Sequence, residues 1–349
     1  MRDILECYRG KKVLITGHTG FKGSWLSLIL QMAGADVIGY ALEPEDTSLF
    51  RIADVEKGMV SVIGDVRDLE HMQKVFDTYQ PEYVFHLAAQ PIVRESYKDP
   101  VGTYSTNVMG TVHLLECVRH CSSVKSVLNV TTDKVYQNKE TEIGYMEEDN
   151  LDGFDPYSNS KSCSELVTHS YYKSFLREAN VRVSTARAGN VIGGGDFEKD
   201  RIIPDCVRAA LQKKQIVVRN PNSVRPFQHV LEPLFVYLMI AQKQLEWSEL
   251  EGAYNVGPEE KDCWTTAQLV DCFCEKWGEG ISWINENQGG PHEANLLKLD
   301  CKKLRNTFAW KPKWDINISM EKIVEWTRVY QSGSDVKSCM EHQIIEYLT

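Results

Sequence analysis

Through the first 190 residues the apolar positions keep changing period. KVLIT at 12–16, ADVIGYAL at 35–42, MVSVI at 59–63, YVFHLAA at 83–89 and SVLNVTT at 126–132 are short, nearly continuous apolar runs. Such runs predict strands buried on both faces, as in a parallel sheet. Between them, 21–33, 68–79 and 104–121 carry the 3.6-residue spacing of amphipathic helices. A further helix is predicted from Asp155 and Pro156 to about Glu178, followed by the strand VRVSTAR at 181–187. Strands separated by helices in this way predict βαβ units and a doubly wound α/β domain of about 190 residues.

After Asn190 the texture changes. VIGGGDFEKDR is glycine-rich and polar, and NPNSVRPFQ holds two prolines, so both read as loops. Helical periodicity returns in LEPLFVYLMIAQKQLE at 231–246, which is expected to rejoin the first domain, and a final helix is expected near 318–331. The expected division is therefore 1–189 plus about 230–257 as a Rossmann-like nucleotide-binding domain. A smaller, interleaved substrate domain takes about 190–229 plus 258–349. No internal repeat or low-complexity tract interrupts this scheme.

Composition narrows the partners. The 349 residues are 42% apolar and 25% charged, an ordinary globular balance. Lys and Arg number 39 against 49 Asp and Glu, a net charge of −10, which offers no footprint for nucleic acid and repels anionic membranes. A local basic pocket for a small anion stays open. The ten cysteines form no CxxC pair and no zinc spacing with histidine, so free thiols in a reducing cytoplasm and no metal are expected. MRDILECYRGKK lacks the apolar core of a signal peptide, and no later run approaches a membrane span.

Gly17, Gly20 and Gly23, in TGHTGFKGSWL, follow the first strand and open the first helix. Glycines there permit a tight turn and let backbone N–H groups approach a pyrophosphate at the helix N-terminus, although an ordinary glycine turn has the same composition. The acidic residue expected at the end of the second strand is missing, since the chain reads Tyr40, Ala41, Leu42, Glu43. No Arg or Lys stands there in the sequence to hold a 2′-phosphate, and Glu43, Glu45 and Asp46 would repel one, which favours NAD over NADP. Asp65 after the third strand is placed either to accept from an adenine amino group or to cap the helix at 68–79. Tyr157 and Lys161, four apart in DPYSNSKSCSE, share a helix face. An ammonium beside a phenol lowers the phenol's pKa from about 10 and makes a general base. Thr131 and Thr132 supply a hydroxyl for the reacting group.

Taken together, GHTGFKG, HLAAQP, STNVMGT, TTDKVY, PYSNSK and RAGNVIGGGD resemble the extended short-chain dehydrogenase/reductases that act on nucleotide sugars. Within them the chain is most similar to the 4,6-dehydratases, and the likeness runs through RPFQHVLEPL and PHEANLLKLD, nearly the whole length. The resemblance implies a hydro-lyase with tightly held NAD, regenerated each cycle, that converts CDP-D-glucose to CDP-4-keto-6-deoxy-D-glucose. A sibling 4,6-dehydratase or a 4-epimerase using another nucleotide is the alternative, and a non-catalytic NAD-binding regulator a more distant one.

By the same resemblance the cofactor lies against Gly17, Gly20, Phe21, Gly23, Asp65, Val66, Leu87, Ala88, Ala89 and Asn107, with Tyr157 and Lys161. The substrate meets Gln90, Asn190 (which follows Arg187), Arg201, Arg225 and His292, the last beside Glu293. Asn190 and Arg225 match pyrophosphate-holding positions, where the arginine fork suits a phosphate. Tyr157 takes the 4′-hydroxyl proton, and Asp133 protonates the leaving 6′-hydroxyl if its site raises its pKa. An epimerase has no need of that acid. Lys134 stands where these dehydratases usually carry Glu. It serves either as a neutral base at C5′ or as a cation that stabilises the enolate. His18 lies inside the phosphate loop, where its bulk loosens cofactor binding or its ring points to solvent. The helices at 104–121 and at Tyr157 match a two-fold four-helix interface, implying a homodimer with a tetramer open, although the same stripes could be core against the sheet.

Overall fold

A computed structural model of the chain describes residues 2–286 and 296–349. Its centre is one seven-stranded sheet: β1 (Lys12–Thr16), β2 (Asp36–Ala41), β3 (Val60–Ile63), β4 (Tyr83–His86), β5 (Ser126–Val130), β6 (Arg182–Ala188) and β7 (Gly252–Val256). All neighbours are parallel, in the order β7-β6-β5-β4-β1-β2-β3. Alternate strand residues feed opposite faces. Val13, Ile15, Phe85 and Leu128 pack into one core with Trp25, Ile29, Leu238 and Ile240. Leu14, Val84 and Val127 pack into another with Met72, Phe76, Leu114 and Val118. Burial on both sides is the reason these strands read as continuous apolar runs rather than as alternations.

The six predicted strands are present, four of them shorter than the runs that predicted them. β4 stops at His86 because the ladder passes from backbone to side chain: Leu87 N still donates to Thr16 O at 3.1 Å, but Ala88 N donates to Thr16 Oγ1 at 3.3 Å. Residues 87–89 leave the sheet and become part of the site. β7 was not singled out by its pattern, since GAYNV mixes polar and apolar positions; it joins β6 in register Gly252↔Ser184 to Val256↔Ala188.

The principal helices are α1 (Phe21–Met32), α2 (Leu69–Tyr79), α3 (Gly110–His120), α4 (Pro156–Tyr171), α5 (Leu231–Glu246), α6 (Thr266–Trp277), α7 (Ile316–Gln331) and α8 (Val336–Leu348). The Asp155 side chain accepts from Ser158 N at 2.9 Å and Pro156 occupies the first turn of α4, so the helix start is set two residues before Tyr157's side chain is needed. The helical stretch at 104–121 is interrupted by one wide turn at Ser105–Met109, where Gly110 N–H reaches back to Ser105 O. The expected final helix, near 318–331, is followed by α8. Tyr347 of α8 stacks on Phe235 of α5 and donates to the buried Glu232 at 2.7 Å. A smaller core gathers Ile203, Cys206 and Ile216 with Leu269 and Phe273 of α6 and Met320 and Ile323 of α7.

One buried carboxylate joins α4 to the sheet. Glu165 accepts from Thr131 Oγ1, from Thr185 Oγ1 at 2.7 Å and from Arg187 at 3.0 Å. Arg187 in turn donates to Tyr136 Oη at 2.8 Å and to Glu147 O at 2.9 Å. Both charged side chains are only 4–5% exposed. Removing one member strands the other's charge, so Glu165→Ala is expected to lower the unfolding free energy by about 3–5 kcal/mol. Urea unfolding of the native and variant chains at one pH measures it.

Candidate active site

The glycine loop is built by close approach. Gly17 has φ +76°, and a Cβ there would stand 2.8 Å from Ala88 N, while a Cβ on Gly23 would stand 2.1 Å from Gly17 O. The turn therefore closes directly onto the first turn of α1. Gly20 caps that helix with extended backbone and no side-chain bond, leaving its first N–H groups for an anion. This cradle fits the pyrophosphate of a dinucleotide.

Around the loop, several expectations change. His18 neither points to solvent nor stands in the loop's mouth. It is fully buried, its ring fills the space a side chain at Gly39 would need, and its Nε2 pairs with Ser61 Oγ at 2.7 Å. Burial pushes its pKa down to about 4, so the ring is neutral. Asp65 is not the helix cap, because Asp68 holds that place by accepting from His71 N at 3.0 Å. Asp65 instead forks with Arg67, whose guanidinium holds the carboxyl below its usual range. The fold also brings an arginine that linear order hid beside the end of β2: Arg51 pairs with Glu43 and, at 3.0 Å, with Glu56, so its charge is already engaged.

Beyond the carboxyl ends of β1, β4, β5 and β6 lies a cavity of about 690 Å³. Phe21, Leu87 and Ala89 line it beside Thr132, Asp133, Lys134, Tyr157, Lys161, Asn190, Arg201 and Arg225. Counting all its charged side chains gives seven cations (Lys22, Arg94, Lys134, Lys161, Arg201, Arg219, Arg225) and four carboxylates (Asp133, Asp196, Asp200, Asp205). A locally basic cavity in a chain of net charge −10 selects an anionic ligand. Three of the carboxylates serve the arginines: Asp196 bonds Arg201 at 3.0 Å, and Asp200 and Asp205 hold Arg219 at 2.6 and 3.5 Å.

The reacting groups meet at the end of β5. Thr131 spends its hydroxyl on Glu165, so Thr132 is the threonine left for chemistry. Thr132 Oγ1 donates to Asp133 Oδ1 at 3.0 Å and stands near enough to the Tyr157 phenol to lower its pKa. Burial raises the Asp133 carboxyl, against the lowering pull of Lys134, Thr132 and Arg225. Burial likewise pushes Tyr157 up to about 12, which reverses the expected lowering. The reason is geometric: the Lys161 ammonium donates to Val130 O at 3.0 Å rather than to the phenol, and burial brings Lys161 itself down to about 8.

Asn107, Gln90 and Val66 are among the expected contacts that do not line the cavity. Asn107, on the wide turn before α3, donates to Gln90 O at 3.1 Å and to Ser160 Oγ at 2.9 Å and accepts from Gln90 N at 2.8 Å. The Gln90 amide is held by Thr103 at 2.9 Å and Ile92 N at 2.6 Å. Both residues thus brace the loop after β4 against α4. Val66 packs under Gly110, and its carbonyl accepts from His113 at 3.0 Å. His292 and Glu293 fall outside the described residues. Sequence reasoning passed over Lys22, which lines the cavity; the signal was a charge in the otherwise small and apolar turn GFKGSW. Burial, then the charges of Lys161 and Arg201, bring its ammonium down to about 7. Among the described residues no group of His, Cys, Asp or Glu is arranged to hold a metal ion, and no helix is long and apolar enough to cross a membrane.

Residues 14–323 match the family model described as GDP-mannose 4,6 dehydratase. The chain belongs to the GDP-mannose 4,6 dehydratase family. Among relatives of this family member, CDP-glucose 4,6-dehydratase of Salmonella typhimurium is 46% identical, with 98% of this chain and 97% of the relative covered. The fold is shared with dTDP-glucose 4,6-dehydratase of Bacillus anthracis, solved in complex with NAD (TM-score 0.77, 22% identity, 92% of this chain and 98% of that one). It is shared as well with UDP-glucose 4-epimerase of Thermotoga maritima, solved with UDP-glucose (TM-score 0.80, 21% identity, 91% and 99% covered).

Two cavity lysines of this family member should reveal themselves by reactivity, because only the neutral amine acylates. Trace labelling with acetic anhydride across pH 6–10 is expected to rise near 7 for Lys22 and near 8 for Lys161. Exposed lysines rise near their ordinary value of about 10.4. Mass spectrometry of the labelled peptides reads the midpoints, and a common midpoint for all lysines contradicts the assignment.

Proposed function

We propose that the protein dehydrates CDP-D-glucose to CDP-4-keto-6-deoxy-D-glucose, using NAD. The observation that carries this reading is the Asp133 carboxyl, bonded by Thr132 next to the Tyr157 phenol in a basic cavity, buried to 1% exposure and raised in pKa. A 4-epimerase needs the phenol and the threonine but has no use for a buried acid beside them. Bound NAD supplies the hydride acceptor at C4′ and the donor at C6′.

The chain's own groups account for the rest. The glycine cradle and the N-terminus of α1 hold the cofactor's pyrophosphate, and Asp65 lies at the adenine end. Arg225 and Asn190 hold the diphosphate of the substrate, with Arg201 near the sugar. Tyr157 accepts the 4′-hydroxyl proton while Thr132 orients that hydroxyl. The phenol begins near 12, so it needs positive charge gathered around it at the moment of transfer; Arg201 already lowers it. Once C4′ is a ketone the C5′ proton is acidic. Asp133 gives its proton to the 6′-hydroxyl as the C6′–O bond breaks. Lys134, on the same cavity wall, either takes the C5′ proton or holds the enolate's charge. Residues of the second unit, Arg219, Ser223, Arg225 and Thr266, form the far wall and are assigned to the nucleotide. The ten free thiols accord with a reducing, cytoplasmic setting.

Incubation with NAD and, separately, CDP-, dTDP-, UDP- and GDP-glucose and GDP-mannose tests this. The expected outcome is a sugar lighter by one water from CDP-glucose alone, without net NADH. Asp133→Asn is expected to keep C4′ oxidation and slow water loss by about 100- to 10,000-fold. Lys134→Met is expected to abolish deuterium exchange at C5′ with C4′ oxidation retained. An isomeric sugar of unchanged mass would instead establish an epimerase.

A homodimer through the α3 and α4 side of the molecule is part of this proposal. Tyr104 and Met109 just before α3, Leu166 on α4 and Phe175 just after it are large apolar side chains left exposed, Leu166 by 56%. Leu166→Glu is expected to convert dimers to monomers in light scattering at micromolar concentration.

A further inference from the structure

Asp133 fits its place only because residue 189 has no side chain. A Cβ built on Gly189 would lie 1.8 Å from Asp133 Oδ2, 2.2 Å from its Cγ and 2.8 Å from Oδ1. Backbone cannot yield easily there, since Gly189 directly follows β6, whose last pair is Ala188 with Val256, and Gly189 O accepts from the buried Gln228 amide at 3.3 Å. The next residue, Asn190, takes a left-handed φ of +41°. That turn carries its amide to the same carboxylate, with Nδ2 donating to Oδ2 at 3.4 Å. On the opposite side Thr132 donates to Oδ1 at 3.0 Å. The carboxyl group is therefore held in a notch with the glycine as its floor and one donor on each oxygen.

We propose that Gly189 is a positioning residue for the elimination half of the reaction: the bare backbone at 189 sets where the Asp133 carboxyl points, and so whether its proton reaches the 6′-oxygen. The inference rests on the dehydratase reading above. In the step concerned, the C5′–H bond breaks toward the base, its electron pair forms C5′=C6′, and the C6′–O bond breaks. The proton on Asp133 passes to the leaving oxygen, which departs as water. C4′ oxidation uses Tyr157, Thr132 and Lys161, none of which Gly189 touches among its three nearest atoms.

The test uses Gly189→Ala enzyme with NAD and CDP-D-glucose in single turnovers, quenched for mass spectrometry. A sugar lighter by two hydrogens, oxidised but not dehydrated, is expected to accumulate at the native rate, with water loss slowed by about 100-fold or more. CDP-6-deoxy-6-fluoro-D-glucose supplies the readout that general damage would not give, because fluoride leaves without needing a full proton. On that substrate the variant is expected to eliminate at nearly the native rate. Native-rate water loss by Gly189→Ala overturns the proposal, and so does equal slowing of oxidation, water loss and fluoride loss. If the variant does not fold, Asn190→Gly keeps the left-handed turn and removes one donor to the carboxylate. Losing a donor to the charged form raises the acid's pKa, so the high-pH limb of water loss should move upward. A limb that stays in place overturns the proposal. Should the native enzyme itself release no dehydrated sugar, the function reading fails and not the positioning argument.

Discussion

The buried carboxylate of Glu165 is the constraint on which the site depends. It is on α4, one turn beyond Lys161, and it binds the end of β5 through Thr131 and the end of β6 through Thr185 and Arg187. Those three elements carry every group of the reacting cluster: Tyr157 and Lys161 on the helix, Thr132 and Asp133 after one strand, Gly189 and Asn190 after the other. A charge in so dry a place is tolerated only when every oxygen is bonded, and here the oxygens have three donors. The pair contributes less by its net energy than by permitting a single arrangement of the three elements.

The second feature of the site is desolvation. Burial pushes several of the cavity's groups toward their neutral forms: Lys22 to about 7 and Lys161 to about 8, with the Asp133 carboxyl raised. For an acid that must carry a proton near neutral pH this is the useful direction. For Tyr157, at about 12, it is the opposing one, so the phenol works as a base only when positive charge is close. The arginines supply much of that charge. An overall charge of −10 hides this, because the cavity is lined by seven cations against four carboxylates.

Residues that resemblance placed on ligands also brace the walls of the site through their side chains. Asn107 and Gln90 satisfy each other and fix the loop that carries Leu87 and Ala89 into the cavity. Arg187, three residues before Asn190, looks in sequence as eligible for a phosphate as Arg225. It is instead buried against Glu165 and Tyr136, while Arg225 faces the cavity. Linear spacing gives no sign of which arginine finds a carboxylate partner first.

The amino-acid sequence by itself determined the parallel sheet, the glycine turn and the four-residue pairing of Tyr157 with Lys161. Those depend on local period, on the absence of side chains at close backbone approaches and on the helix repeat, all of which are properties of neighbours in the chain. Tertiary structure decided the rest. It brought Arg51 to Glu43, seated His18 under Gly39, sent the Lys161 ammonium to Val130 and fitted Asp133 against Gly189, 56 residues away. It also placed β7 beside β6 and α8 across α5, pairings with little local pattern of their own. Burial, partner choice and the protonation states that follow are set by what surrounds a group in space, and residues far apart in sequence supply those surroundings.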